Sequence, residues 1–174
     1  MPRFEDIKLL RDLSTAYPGV FEKMWPIAEA IMRSDAPLSL GERELVAAYV
    51  SLLNQCDFCH GIHAHVARAH GLDEDLITAL AADVATAPID PKLKPILEFV
   101  KVLTETPAKV TDTHYEKMRA AGWDDQAIGY AIGVTGYFNM MNRLVEGFGI
   151  ELPEDGGAGG GQMLAAHGYD RSDN

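Results

Sequence analysis

The sequence predicts an all-α protein with a single domain. Almost every segment shows helical spacing of apolar residues, and we find no convincing strand alternation. In addition, 47% of the 174 residues are hydrophobic, which suits one globular core. We expect residues 1–152 to form one helical domain and residues 153–174 to form a glycine-rich C-terminal tail.

The first predicted helices are set by proline, glycine and capping residues. A Pro-Gly pair at 18–19 precedes an amphipathic helix over residues 20–33. Ser39 and Glu42 have the spacing of a capping box, so Ser39 is expected to cap a helix that reaches about Leu53.

A further helix is expected directly after the one that Ser39 caps. Asn54 is its predicted N-cap, His70 lies near its end, and Gly71 stops it. The two helices would form a hairpin that reverses at Asn54, with Cys56 in the first turn of the second helix. The later helices are predicted over residues 73–82, 93–106, 111–121 and 124–149.

The tail has a different composition from the helical body. It is polar and glycine-rich, which is typical of a flexible segment. Met163, Leu164 and Tyr169 are apolar or aromatic exceptions within it. We expect these three residues to dock onto the body or onto a neighbouring subunit.

Charge and hydropathy exclude several classes of function. The net charge of −11 makes nucleic acid an unfavourable partner, because phosphate binding needs a clustered positive surface. No run approaches the ~20 apolar residues of a membrane helix. The first residues lack the apolar core of a secretory signal, so we expect a cytoplasmic protein.

The two cysteines of the chain, Cys56 and Cys59, form a Cys-x-x-Cys pair. Disulfides in reducing compartments are mostly catalytic or sensing rather than structural. A bridge across so short a loop would also restrain the unfolded chain little. The pair therefore favours redox chemistry.

An acid and an imidazole are expected beside the pair. Glu44 lies ten residues before the predicted reversal and His63 lies nine residues after it. In an antiparallel hairpin both would lie roughly 14 Å from the bend, and therefore level with each other. Cys59 is four residues before His63, so the two share a helix face.

This arrangement predicts thiol peroxidase chemistry. His63 can accept the thiol proton of Cys59, and Glu44 can orient His63. The helix dipole instead favours Cys56, but a direct base should outweigh a dipole contribution of ~0.3–1 kcal/mol. We therefore expect Cys59 to attack hydroperoxide and Cys56 to resolve the sulfenic acid as a disulfide, which an external dithiol would reduce.

The spacing of Glu44, Cys56, Cys59 and His63 resembles the signature of the alkylhydroperoxidase D-like family, within the carboxymuconolactone decarboxylase-like superfamily. The similar block covers residues 39–80, and residues 137–144 resemble a later helix of peroxidase-related members.

The resemblance implies an all-helical bundle that assembles as a dimer, trimer or hexamer. It also implies attack by the second cysteine, a histidine–glutamate proton relay, no bound cofactor and a redox partner protein that carries a lipoyl group. One residue departs from the pattern: Phe58 stands where some members have an additional relay histidine.

Alternative interpretations of the same residues are a decarboxylase acting on a lactone acid, a non-enzymatic redox sensor and a zinc site. Zinc would use Cys56, Cys59, His63 and one further histidine, but these candidates crowd a single helix. His65 and His70 are expected to be ordinary surface or interface residues, and His60 to point away from the relay.

Other residues are left with two interpretations each. Four aromatic residues are expected either to line a hydroperoxide pocket or to fill the core: Tyr49, Phe58, Tyr137 and Phe138. Asn142 and Arg143 are expected either to face the site or to form an oligomer contact.

Overall fold

The computed structural model describes residues 4–170. Over these residues the chain is helical, as predicted, and no strand occurs. The α-helices are α1 (Asp12–Ala16), α2 (Met24–Arg33), α3 (Leu40–Leu53), α4 (Asp57–Ala69), α5 (Glu74–Ala82), α6 (Lys94–Glu105), α7 (Asp112–Ala120), α8 (Asp125–Phe148) and α9 (Ala158–His167). Short 3₁₀ helices span Phe21–Lys23 and Pro107–Lys109.

Helix α3 lies at the centre of the molecule. It packs against α2, α4, α5, α6 and α8, and most of its side chains are buried. Its first turn has the predicted capping box: the amide of Glu42 donates to Ser39 Oγ, and the amide of Ser39 donates to Glu42 Oε2. Because α3 is enclosed on several sides, a polar side chain in its middle is held in the interior.

The hairpin between α3 and α4 is tighter than predicted. Asn54 is the C-cap of α3, not the N-cap of α4, and Cys56 caps α4 instead. The amide of Cys56 donates to Ser51 O, and that of Gln55 donates to Leu52 O, in the pattern of a Schellman motif. Gln55 takes the left-handed conformation (φ 56°) that glycine usually fills. Side-chain spacing alone did not distinguish the end of one helix from the start of the next.

The glycine-rich segment forms helix α9, which packs along α4. Leu164 and Tyr169 are buried, whereas Met163 remains 44% exposed. Glycine permits the close approach: a Cβ on Gly161 would lie 2.5 Å from His65 Cβ. The composition that is typical of a flexible tail here serves close helix packing.

Substituting Gly161 tests this packing. We expect Gly161→Ala to lower the free energy of unfolding by roughly 1–3 kcal/mol, because α9 must move away from α4. Gly136→Ala is the control, since a Cβ on Gly136 in α8 would meet no atom within 4 Å. That change should stabilise the helix by roughly 0.5–1 kcal/mol. Chemical denaturation measures both, and equal effects of the two changes would contradict close packing at Gly161.

Candidate functional site

The structure brings Glu44 of α3 and His63 of α4 into direct contact. His63 Nδ1 lies 2.7 Å from Glu44 Oε2. The Glu44 side chain is fully buried, and His63 is 6% exposed. The two residues therefore lie level across the hairpin, as the spacing predicted. Cys56, rather than the predicted Asn54, is the N-cap of α4, but this difference leaves Glu44 and His63 paired across the hairpin.

Two further residues, which sequence reasoning did not connect to this site, surround Glu44. Arg33, at the end of α2, places Nη2 3.2 Å from Glu44 Oε1. The hydroxyl of Tyr169, beyond α9, donates to Glu44 Oε1 at 2.9 Å and to Oε2 at 3.0 Å. Glu44 is thus held by a cation, a phenol and an imidazole. We call Arg33, Glu44, His63 and Tyr169 the Glu44 cluster.

The hydrogen bond to Glu44 defines what His63 can do. A neutral imidazole that donates from Nδ1 to a carboxylate has its lone pair on Nε2. Nε2 is then available as a proton acceptor on the other edge of the ring. The ring itself is fixed by Phe138, which it meets edge-on at a centroid distance of 4.4 Å.

The two sulfurs lie at the start of α4, and both cysteines are buried free thiols. A hydrogen bond from Cys59 lowers the pKa of Cys56, against the opposing effect of burial. The same hydrogen bond raises the pKa of Cys59 well above its usual value, and burial adds to this. Of the two thiols, Cys56 therefore gives up its proton more readily and Cys59 holds its proton more tightly.

Two side chains of α8 adjust this distribution. Asn142, which is 1% exposed, hydrogen-bonds Cys59 and lowers its pKa. It is oriented by Ser51 and Asn54, at 3.0 Å and 2.9 Å. Glu146 raises the pKa of Cys56 by hydrogen bonding and by its charge. Asn142 thus faces the site, and no sequence signal pointed to Glu146.

An apolar cavity of about 200 Å³ lies beside Cys59 and His63. Its walls come from α4, α8, the C-terminal segment, Trp25 and the N-terminal residues 9–11. Cys59 lines the cavity, whereas Cys56 is not among its lining residues within the described chain. The thiol with the higher pKa is therefore the one that a molecule in the cavity would meet.

The predicted aromatic residues separate into two groups. Phe58, Tyr137 and Phe138 line the cavity. Tyr49 does not: it is 4% exposed in the core, and burial together with the charges of Glu105 and Asp83 raises its pKa to about 12. Tyr49 lies on α3, and these two charges stand at the C-terminal ends of α5 and α6.

The remaining candidates lie outside the cavity. His60 Nδ1 is 3.0 Å from Ala48 O, and His65 packs against Gly161. His70 Nε2 is 3.1 Å from Arg33 Nη1, which makes it an indirect neighbour of the Glu44 cluster rather than a plain surface residue. Arg143 is exposed and bonds Asn139.

Neither a metal cluster nor a membrane span is found in the part of the chain that the structure describes. Within residues 4–170, no group of three or more His, Cys, Asp or Glu side chains is arranged to hold a metal ion. Among the helices of the same residues, none is both long enough and apolar enough to cross a bilayer.

The comparisons with known proteins agree with this architecture. Residues 18–102 match the model of the carboxymuconolactone decarboxylase family. Mouse Sestrin-3 is 24% identical over 167 residues, which is 93% of this chain but 32% of Sestrin-3. The chain therefore spans about a third of that relative.

Solved structures share the fold over most of the chain. An uncharacterised peroxidase-related protein from Ralstonia eutropha, described as an alkylhydroperoxidase AhpD core, has a TM-score of 0.78 at 23% identity, over 85% of this chain and 78% of its own. A peroxidase-related protein from Silicibacter has a TM-score of 0.73 at 27% identity, over 79% and 72%. A protein of unknown function from Agrobacterium tumefaciens has a TM-score of 0.72 at 24% identity, over 88% and 99%.

The helical architecture, the family match and the shared fold lead to one assignment. These findings support an assignment to the carboxymuconolactone decarboxylase-like superfamily, and the chain has the alkylhydroperoxidase D-like fold.

Proposed function

We propose that this protein is a thiol-dependent peroxidase that reduces small organic hydroperoxides in antioxidant defence. One observation carries the proposal: Cys59 and His63 line the same apolar cavity, and Glu44 Oε2 lies 2.7 Å from Nδ1 of that histidine. This supplies a nucleophile, a base and a group that orients the base, which is the arrangement required for nucleophilic catalysis.

In the first step Cys59 is the nucleophile. It gives its proton to His63 Nε2, directly or through one water, and its thiolate attacks the terminal oxygen of the hydroperoxide. The O–O bond breaks, and the alkoxide takes the proton from His63 and leaves as the alcohol. The sulfur is oxidised to sulfenic acid as the hydroperoxide is reduced.

In the second step Cys56 resolves the sulfenic acid. Cys56 gives up its proton, its thiolate attacks the sulfur of Cys59, and the hydroxide that leaves takes up one proton to form water. The lowered pKa of Cys56 favours this role, because its thiolate forms more readily than that of an ordinary cysteine. An external dithiol then reduces the disulfide by exchange, and a lipoyl group on a partner protein is our candidate.

The cavity favours an organic substrate over hydrogen peroxide. Apart from Arg11, Cys59 and His63, the lining residues have apolar or aromatic side chains, with the hydroxyls of Tyr137 and Tyr169 and the indole of Trp25 as their polar atoms. An alkyl or aryl group would bury apolar surface there, at about 25 cal/mol per Å². Hydrogen peroxide offers no such surface.

The same lining disfavours a decarboxylase that acts on a lactone acid. A substrate with carboxylate groups needs cations or several hydrogen-bond donors in its site. Among the described lining residues, Arg11 is the single Lys or Arg, and it lies in the exposed N-terminal segment. A decarboxylase would also have no use for a resolving thiol.

The proposed function is tested with the reduced protein and one equivalent of cumene hydroperoxide. We expect equimolar cumyl alcohol and the loss of both free thiols, measured by chromatography and thiol titration. With an excess of lipoic dithiol the reaction should turn over, and more slowly with hydrogen peroxide. Thiols that survive while hydroperoxide remains unconsumed would contradict the proposal.

A further inference from the structure

Tyr169 belongs to the Glu44 cluster although it comes from the C-terminal segment, far from Glu44 in the sequence. It is 4% exposed, and its hydroxyl contacts both oxygens of Glu44. The same oxygen lies 3.2 Å from His63 Nδ1. The Tyr169 and His63 rings are nearly parallel, with 6° between their planes and 6.1 Å between their centroids.

The backbone around Tyr169 is anchored independently of its hydroxyl. Glu29 Oε2 accepts from the amide of Tyr169 at 2.6 Å and from that of Asp170 at 3.1 Å. Arg33 Nη2 donates to Leu164 O at 2.9 Å while its guanidinium lies 5.3 Å from the Tyr169 ring centroid. The body therefore holds the segment at both sides of Gly168, and the phenol is directed at Glu44.

We propose that Tyr169 is a positioning residue that fixes the carboxylate of Glu44 and, through it, the orientation of His63. This rests on the proposed peroxidase function only for its kinetic consequence. The hydroxyl donates to Oε2, the oxygen that also lies 2.7 Å from His63 Nδ1, so it holds in place the oxygen that orients the imidazole.

Removing the hydroxyl should loosen this arrangement. In Tyr169→Phe, Glu44 would keep the ion pair with Arg33 at Oε1 and would lose the hydroxyl that is shared between Oε1 and Oε2. The carboxylate would then be free to rotate, so the imidazole of His63 would no longer be held in the single tautomer that carries its proton on Nδ1.

The experiment compares wild type with Tyr169→Phe by two measurements. The first is the pair of ring ¹⁵N chemical shifts of His63 in NMR, assigned with His63→Gln; we expect a single tautomer with its proton on Nδ1 in wild type and a mixture of both tautomers in Tyr169→Phe. The second is kcat and KM for cumene hydroperoxide. We expect kcat to fall roughly tenfold while KM changes little, because the base is misoriented and the cavity walls are kept.

Two variants serve as controls. Tyr130→Phe removes a tyrosine hydroxyl whose partner, Ser34 Oγ at 2.7 Å, lies outside the cavity, and it should move neither measurement. Glu29→Ala releases the backbone of Tyr169 but leaves the four side chains of the Glu44 cluster unaltered, and it should mix the His63 tautomers as Tyr169→Phe does. It supplies the comparison if Tyr169→Phe does not fold.

The outcomes separate this inference from the proposed function. A single, unchanged His63 tautomer in folded Tyr169→Phe, or in Glu29→Ala where that variant is used, would overturn the role of Tyr169. If wild type consumes no hydroperoxide but the tautomers mix in the variant as expected, the positioning role stands and the peroxidase function fails.

Discussion

Cys59→Ser should abolish hydroperoxide consumption, lowering the rate by at least about a hundredfold, because the cavity then contains no thiol nucleophile. The expectation depends more on which cysteine lines the cavity than on which cysteine has the lower pKa. Cys56 has the lower pKa, but Cys59 is the cysteine that lines the cavity. A thiolate that the hydroperoxide cannot reach does not react, so access decides.

The matched variant is Cys56→Ser. It should still complete the first step, forming a sulfenic acid on Cys59 that a dimedone probe traps and mass spectrometry locates. The hydrogen bond and the charge of Cys56 both raise the pKa of Cys59, and a serine hydroxyl at position 56 stays neutral, so the pKa of Cys59 should fall in this variant. The single turnover should then be at least as fast as in wild type near neutral pH.

The two variants together distinguish the sulfurs. If Cys56 were the attacking thiol, Cys59→Ser would accumulate a sulfenic acid on Cys56, and Cys56→Ser would be inert. That pattern would reverse our assignment of the two cysteines while leaving the redox function in place. If both variants still consumed hydroperoxide, neither Cys56 nor Cys59 would be the catalytic nucleophile.

Glu44→Ala should lower the free energy of unfolding by about 3–5 kcal/mol, the range for breaking a buried ion pair. Glu44 is completely buried, and Arg33, whose side chain is 11% exposed, would be left with an uncompensated charge. Tyr169 and His63 would lose their acceptor at the same time. Denaturation in urea measures the loss.

Two comparisons show whether the lost charge or the lost volume is responsible. Glu98→Ala removes a carboxylate that is 45% exposed and 3.5 Å from Lys117, and such surface pairs contribute at most about 1 kcal/mol. The double variant Arg33→Met/Glu44→Leu replaces the buried ion pair with apolar groups and should recover part of the stability, because the buried charge of Arg33 is removed while Tyr169 and His63 still lack their acceptor. A double variant as unstable as Glu44→Ala would contradict the ion-pair explanation.

The predictable part of the fold came from local signals. The capping box at Ser39 involves residues three apart, and Asp124 likewise caps α8 through the amide of Ala127. The contact between Glu44 and His63 also followed from local information, because helical rise and one reversal are sufficient to place them level. By contrast, Asn54 was misassigned because a Schellman motif with a left-handed Gln55 has no distinctive sequence.

Local sequence signals predicted the helical class, the hairpin and the contact between Glu44 and His63, since each depends on residues close together in the chain. Tertiary structure alone decided the rest of the site. Arg33 and Tyr169 meet at Glu44 from opposite parts of the chain, and Asn142 reaches Cys59 from α8. Their roles arise because a buried carboxylate and a buried thiol need polar partners, and only the packing of distant helices determines which residues supply them.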